Sequence, residues 1–384
     1  MMERITSINP QRVAWCFADM GVTVEQVAAE TGVAAERLQA VLGGNGGLTF
    51  AQLRKLADYL GRSVLFLLEP TPVEADRANT AQFRTLASQK PDLSRRVKQL
   101  VRRVEQQRAV YLGLLDELEA ADRPRFEPPT LPSDPIAAAA LVRQWLGLSN
   151  INTFDGYRQA VQDKGILVFR TNGYAGRWQI AKESPILGFA LYDPVLPVIV
   201  VKRQAAEAQQ TFTLMHELGH VLLHCTSSVD DEADFRATKG MERAANQFAA
   251  HVLLPEVRLA QLNHAERPED VAQLDEWLRT YRKAWGISSD VILLRLVEAG
   301  RLRQAVYDAY RAWRNAQPLI QRQVKTPSRK YRHREPRQLF GDPYVRTVLN
   351  ALSARQITLS KASDYLDGLK VTDLHKLERF YAGA

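Results

Sequence analysis

The densest chemistry in this chain of 384 residues lies between Thr211 and His224, around His216, Glu217 and His220. Two histidines four apart on an α-helix put their imidazoles on one face, where both can grip a single metal ion. His216 and His220 have that spacing. Glu217 follows the first directly and can serve as general base toward the attacking water of a hydrolytic metal site. Phe212, Leu214, Met215, Leu218, Val221, Leu222 and Leu223 predict a helix buried on most sides. There, two imidazoles and a carboxylate are costly unless a metal ion and water satisfy them. Gly219 leaves room for another backbone or a substrate to come close.

His-Glu-x-x-His on a helix is the signature of zinc proteases. A zinc site of that kind needs a third protein ligand and keeps a fourth position open. The acidic residues downstream are Asp230, Asp231, Glu232, Asp234 and Glu242. The first four lie in the polar stretch from Ser227 to Phe235, which reads as a solvated acidic loop. Glu242 instead opens a predicted helix running to Pro255, where Ala244, Ala245, Ala249 and Ala250 allow tight packing on the histidine helix. His216, His220 and Glu242 are therefore assigned as ligands, with Glu217 as base. Asn246 shares the face of Glu242 and is expected to orient a ligating histidine. Zinc is the expected metal, and the same donors accept manganese(II) or iron(II).

These two blocks, Phe212 to His224 and Glu242 to Pro255, resemble the ImmA/IrrE family of metallo-endopeptidases. The resemblance implies a gluzincin-like fold with a His, His, Glu zinc site. It also implies cleavage of a helix-turn-helix repressor as a stress or mobile-element switch. The chain departs from the family at Ala244, where relatives commonly carry a second acid, and at His251, where many have an acid or another polar residue. His251 is read either as a donor lining the substrate cleft or as a helix-surface histidine. By the same resemblance the predicted strand Ile186 to Leu191 is the edge strand that would hold a substrate. Tyr174, Arg177 and Trp178, in the loop before it, either line that cleft or anchor the loop.

Composition sets the frame. A hydrophobic content of 46% and a charged content of 24% are those of a globular protein. No run approaches the roughly 18 apolar residues of a membrane span. No basic region followed by an apolar run opens the sequence, and its two cysteines, Cys16 and Cys225, lie far apart. A reduced, cytoplasmic protein without a membrane partner is expected. Cys225 reads as a buried, inert thiol. The net charge of +8 suggests an anionic partner, with nucleic acid the first choice.

The flanking segments must carry this site. Residues 9–70 read as a bundle of five short helices: Pro10 to Met20, Val24 to Glu30, Ala34 to Leu42, Phe50 to Leu60 and Val64 to Leu68. Thr23 and Gln26 form a capping box, and Thr31-Gly32-Val33 makes a tight turn. Val27 to Val33 followed by a short helix fits the helix-turn-helix pattern and resembles the Xre/Cro repressors over about 60 residues. On its recognition helix, Arg37 and Gln39 are placed to read guanine and adenine edges. The bundle is not itself basic, so docking of a protein is the competing role. Leu93 to Glu119 predicts a long charged helix with one apolar stripe, which docks on the rest of the chain or forms a homodimer seam. Gln317 to Arg337 concentrates Lys325, Arg329, Lys330, Arg332, Arg334 and Arg337 among three prolines, and reads as a basic loop.

The expected class is mainly α with a small β-sheet. The expected segments are a helix-turn-helix bundle (1–70), a linker with the long helix (71–133), a gluzincin-like α+β metallopeptidase domain (134–300), and a basic loop with a C-terminal helical cap (301–384). The leading expectation is a zinc endopeptidase that cleaves a repressor or antitoxin protein in a stress, mobile-element or toxin–antitoxin circuit. The alternative is a DNA-binding regulator or antitoxin that binds a neighbouring toxin and keeps a non-proteolytic metal site.

Overall fold

The structure is a computed structural model that describes residues 4–73, 86, 89–90, 93–119, 123–149, 151–172, 176–237, 239–317 and 329–383, without the side chains of 329 and 330. It divides into two compact units, Met1–Gln106 and Gln107–Ala384. Most of the linker expected at 71–92, together with Tyr174 and the part of the basic loop at 318–328 that contains Lys325, lies outside the described residues. Among the described residues no helix is long and apolar enough to cross a membrane. The fold is mainly helical with one four-stranded mixed sheet.

In the first unit, helices α1 (Pro10–Met20), α2 (Val24–Thr31), α3 (Ala35–Leu42), α4 (Phe50–Leu60) and α5 (Val64–Leu68) enclose Val13, Val27, Leu38, Leu53, Leu56 and Leu60. Their ends are written in the sequence. Asn9 accepts from the backbone N–H groups of Gln11 and Arg12, and the capping boxes of Thr23 with Gln26 and Thr49 with Gln52 are both complete. Gly32 takes φ 68° between α2 and α3, a left-handed turn that suits glycine. Cys16 is buried in this core, and burial pushes its thiol up to about 11, so it is an inert packing residue. The long helix α6 (Arg95–Glu117) contributes Val97, Leu100, Val101 and Val104 to buried positions of this unit, and Tyr111 and Leu114 to the second.

The second unit is built on strands β1 (Leu167–Arg170), β2 (Ile186–Leu191), β3 (Val198–Val201) and β4 (Ser228–Asp231), in the order β1-β3-β2-β4. The β1–β3 pair is parallel and the other two pairs are antiparallel. Helices α7 (Pro135–Trp145), α8 (Phe154–Gln162), α9 (Glu207–Gly219) and α10 (Gly240–Leu253) pack into one core with the sheet, through Val142, Tyr157, Leu214, Leu218, Phe248 and Leu253. Gly219 lets α9 and α10 meet: a Cβ there would stand 3.3 Å from Ala245 Cα and 3.1 Å from the Phe248 ring.

The edge-strand expectation is corrected here. The Ile186–Leu191 strand is internal, and the sheet edge beside it is β4, inside the stretch read as a solvated loop. The stretch looked like a loop because its strand alternation is polar. Ser228 and Asp230 share one side, and that side is buried toward charged groups instead of an apolar core. Helices α11 (Arg279–Trp285), α12 (Ser289–Glu298), α13 (Gln304–Ala316), α14 (Glu335–Ser353), α15 (Leu359–Tyr365) and α16 (Val371–Ala382) all belong to the second unit.

Helix α14 packs on β1 through an aromatic cluster. The ring of Trp178 meets that of Phe340 at 4.9 Å, nearly perpendicular, and Phe169 lies 5.5 Å from Phe340. Arg158, fully buried, donates to the carbonyls of Val168, Gln338 and Leu339 and ties the start of α14 to β1. Trp178 is therefore an interior anchor and not a cleft residue. Arg177 lies beside Asp367 at 3.6 Å. Trp178→Ala is expected to destabilise the second unit by about 3–5 kcal/mol in denaturant unfolding. A loss below about 1 kcal/mol would contradict the anchoring role.

Candidate metal centre

Helix α9 forms because Glu207 to Gly219 places Leu214, Met215 and Leu218 on the core side while His216 and Glu217 turn toward β2 and β4. It does not stop at Gly219. The backbone widens into a π-helical turn, His220–His224, closed by Cys225 at φ 48°. That turn sets His224 Nδ1 3.0 Å from His220 Nδ1. Burial, then the neighbouring His220, lowers His224 to about 4, so its neutral ring can accept the Nδ1–H of His220 and leave His220 Nε2 facing the centre. Cys225 is exposed, not buried as expected.

Four donor atoms converge within 4.8 Å of one another, from His216, His220, Asp230 and Glu242. His216 Nε2 and His220 Nε2 are 3.1 Å apart, and Glu242 Oε2 lies 3.3 and 3.2 Å from them. Asp230 Oδ2 is 3.7 Å from each Nε2. Bonds of about 2.0–2.1 Å in a tetrahedral site give donor separations of roughly 3.3 Å, so the spacing fits a zinc-sized ion. His216 and Glu217 are 0% exposed and Asp230 2%, while the Glu242 side chain is 28% exposed. Asp230 Oδ2 and His216 Nδ1 have no hydrogen-bond partner. Buried groups in that condition fit a cation better than they fit one another.

The charges point the same way. Burial alone would lower His216, but the Asp230 and Glu242 carboxylates reverse this and hold it at about 9. Burial would raise Glu242, yet the two imidazoles keep its carboxyl well below the ordinary carboxylate range. Burial, then Asp230, pushes Glu217 upward. Glu217 Oε2 accepts from Ser228 Oγ at 2.9 Å, and its Oε1 has no hydrogen-bond partner. The base is therefore held by Ser228 at one oxygen, and Asp230 lies close enough to act on its carboxyl.

Gly188 makes room for it. A Cβ at Gly188 would stand 2.6 Å from Glu217 Oε1 and 2.7 Å from Thr213 Cγ2. Gly188→Ala is expected to cost about 1–3 kcal/mol of stability by overpacking and to displace Glu217. If a hydrolytic activity depends on Glu217, cleavage falls while bound metal, measured by elemental analysis, stays near one equivalent. Unchanged cleavage would show that the carboxylate tolerates the shift.

The other residues singled out from the sequence lie elsewhere. Asn246 does not touch a histidine: its Nδ2 donates to Asp234 O at 3.0 Å, tying α10 to the segment after β4. His251 is half a turn round α10 from Glu242 and bonds Glu298 Oε2 on α12 at 3.2 Å, away from the ligand face. In the first unit, Arg37 and Gln39 lie on α3. Gln39 is exposed, and Arg37 is half-buried with its guanidinium 3.5 Å from Gln52 Oε1. Sequence reasoning weighed Asp230 but set it aside with a solvated loop, and gave no role to Ser228, His224 or Phe235, whose ring centroid is 4.5 Å from that of His216. A signal existed for His224, four residues after His220, and for the alternation of Ser228 with Asp230.

Comparison with known proteins agrees with this location. Residues 161–297 match the family model of the IrrE N-terminal-like domain, of the peptidase M78 type. His216, Glu217, His220, Asp230 and Glu242 all fall inside the matched segment. The chain is also 33% identical over 91 residues to the "Uncharacterized immunity region protein 2" of Bacillus phage phi105, an alignment covering 23% of this chain and 56% of that protein. The chain thus spans about half the length of the curated relative it matches.

Proposed function

We propose that this chain is a metal-dependent endopeptidase in which His216, His220 and Glu242 hold the ion, Glu217 is the base, and the substrate is a repressor or antitoxin protein. The observation that carries this reading is the convergence of those donors around a buried glutamate, inside the segment matched to a peptidase family. Zinc on these donors, or manganese(II) or iron(II), supplies Lewis acidity toward the scissile carbonyl and toward the attacking water. Glu217, with Oε2 held by Ser228, takes the proton of that water and passes it to the leaving amine. Exclusion of bulk solvent from His216 and Glu217 strengthens both effects.

The printed name of the phage relative, an immunity-region protein, supports a repressor as substrate. The first unit then serves as a helix-turn-helix module, with α2, the Gly32 turn and α3 presenting Arg37 and Gln39 to DNA or to the substrate protein. A cytoplasmic location and a net charge of +8 suit that role. The test is a search for new protein N-termini in host cells carrying the wild-type chain or Glu217→Gln, with and without DNA damage. Termini confined to the wild type name the substrate. Their absence, with metal-loaded protein in hand, counts against proteolysis.

One observation favours a second reading. Asp230 is a fourth protein donor at the centre, and four protein donors are the pattern of closed, structural zinc sites. On that reading the chain is a DNA-binding regulator or antitoxin that binds a neighbouring toxin. Repression by Glu217→Gln would then equal that of the wild type.

A further inference from the structure

We propose that Asp230 is a self-ligand: in the resting protein its Oδ2 fills the position that a hydrolytic site keeps open, so that the centre is closed until β4 withdraws it. The inference rests on the peptidase reading above, which it deepens into a form of regulation.

The geometry begins with an orphaned atom. Asp230 is 2% exposed, its Oδ2 has no hydrogen bond of ordinary length among the described residues, and that oxygen forms only long ion pairs, 3.7 Å from the Nε2 of both His216 and His220, beside the Glu217 carboxyl. A buried carboxylate oxygen left in this way is costly unless a cation takes it up. His216, His220 and Glu242 already complete the three-ligand set of a catalytic site. A fourth protein donor on the same ion leaves no place for water beside Glu217.

The strand that carries Asp230 also carries the clamp on the base. Ser228 and Asp230 are two apart, so they project to the same side of β4. Ser228 Oγ holds Glu217 Oε2 at 2.9 Å while Asp230 faces the imidazoles. One displacement of β4 therefore acts on the base and on the ion position together. The strand is built to allow it. It is four residues long and at the sheet edge, and among the described residues it pairs with β2 alone. That pairing slips at Asp230: Gly188 faces Asp230 and Ile186 faces Asp231, leaving Leu187 as the extra residue of a bulge. A bulge at this place aims a side chain and weakens the ladder where it would have to give. An extended substrate laid along the free edge of β4 has direct mechanical access to Asp230.

The test uses the full chain with cobalt(II) or zinc(II) as probe, in the wild type, Asp230→Ala and the near-isosteric Asp230→Asn. Circular dichroism melts confirm that each variant is folded. Chelator competition is expected to show metal affinity at least about tenfold weaker in both variants. Azide is expected to perturb the visible spectrum of the cobalt-loaded variants at concentrations at least about tenfold below those needed for the wild type. Equal metal affinity and equal azide response in wild type and variants would overturn the proposal. Failure of the peptidase reading looks different. If no variant, Asp230→Ala included, cleaves any protein while the metal and azide shifts appear, Asp230 is a ligand of a permanently closed site, and the withdrawal step is overturned with the peptidase.

Discussion

Glu217→Gln is expected to lower proteolysis by about a hundred- to ten-thousand-fold, the range of a lost general base, while leaving the bound metal and the fold intact. The fold survives because glutamine has the shape of the residue it replaces and sits where a neutral group is welcome. Burial and then the nearby Asp230 carboxylate push Glu217 upward, so its charged form is the costly one without metal. The Ser228 hydroxyl can still donate to the amide oxygen. Metal is retained because Glu217 is not among the four converging donors. The measurement is cleavage of the substrate named by the N-terminus search, beside zinc content per chain. Cleavage within about threefold of wild type would remove Glu217 from the chemistry and, with it, the peptidase mechanism.

Chelation of the metal is expected to lower the melting temperature of the second unit as well as to stop cleavage. An ion that binds only the folded chain, present at a hundred times its Kd, contributes about 2.7 kcal/mol, which is roughly 5–10 °C for a unit of this size. His220→Ala should abolish that zinc-dependent increment. It removes one of the two imidazoles and leaves His216, Asp230 and Glu242 without an adequate site. The stripped protein has its own pH signature. Burial lowers His216, but Asp230 and Glu242 outweigh it and raise the group from 6.5 to about 9, so its proton acts as a stand-in cation. A raised folded-state pKa gives stability that is complete below about 6.5 and lost as pH climbs to about 9. The chelated chain should therefore lose melting temperature across that window, and the zinc-loaded chain should not. Identical melts with and without zinc would mean that the four side chains hold no ion.

Much of this could be read from the residues themselves. The bundle of α1 to α5 was legible because each helix carries its own signals: the Thr23–Gln26 box, the left-handed Gly21 and Gly32, and apolar positions at helical spacing. His216 and His220 were legible for a similar reason, since positions four apart on a helix share a face by local geometry alone, and Glu217 by its place directly after the first of them. Glu242 was reached by exclusion, from its place at the head of an alanine-rich helix.

What the tertiary structure decided lies between elements distant in sequence or hidden by polar composition. Trp178 stands in a glycine-containing loop, a common site for cleft residues, yet Phe340, far along the chain, completes its cage. His251 shares a helix with Glu242 but faces Glu298 on α12. Asn246 shares the face of Glu242, yet its amide goes to the Asp234 carbonyl. Asp230 lies in Ser-Val-Asp-Asp, which any hydropathy pattern assigns to solvent. Only pairing with β2 turns that stretch into a strand and buries the Asp230 carboxylate beside the two imidazoles. The physical reason is common to all four. A helix fixes neighbours three or four residues apart through its own backbone bonds, whereas the direction of a side chain in a strand or loop depends on which partner the chain brings alongside.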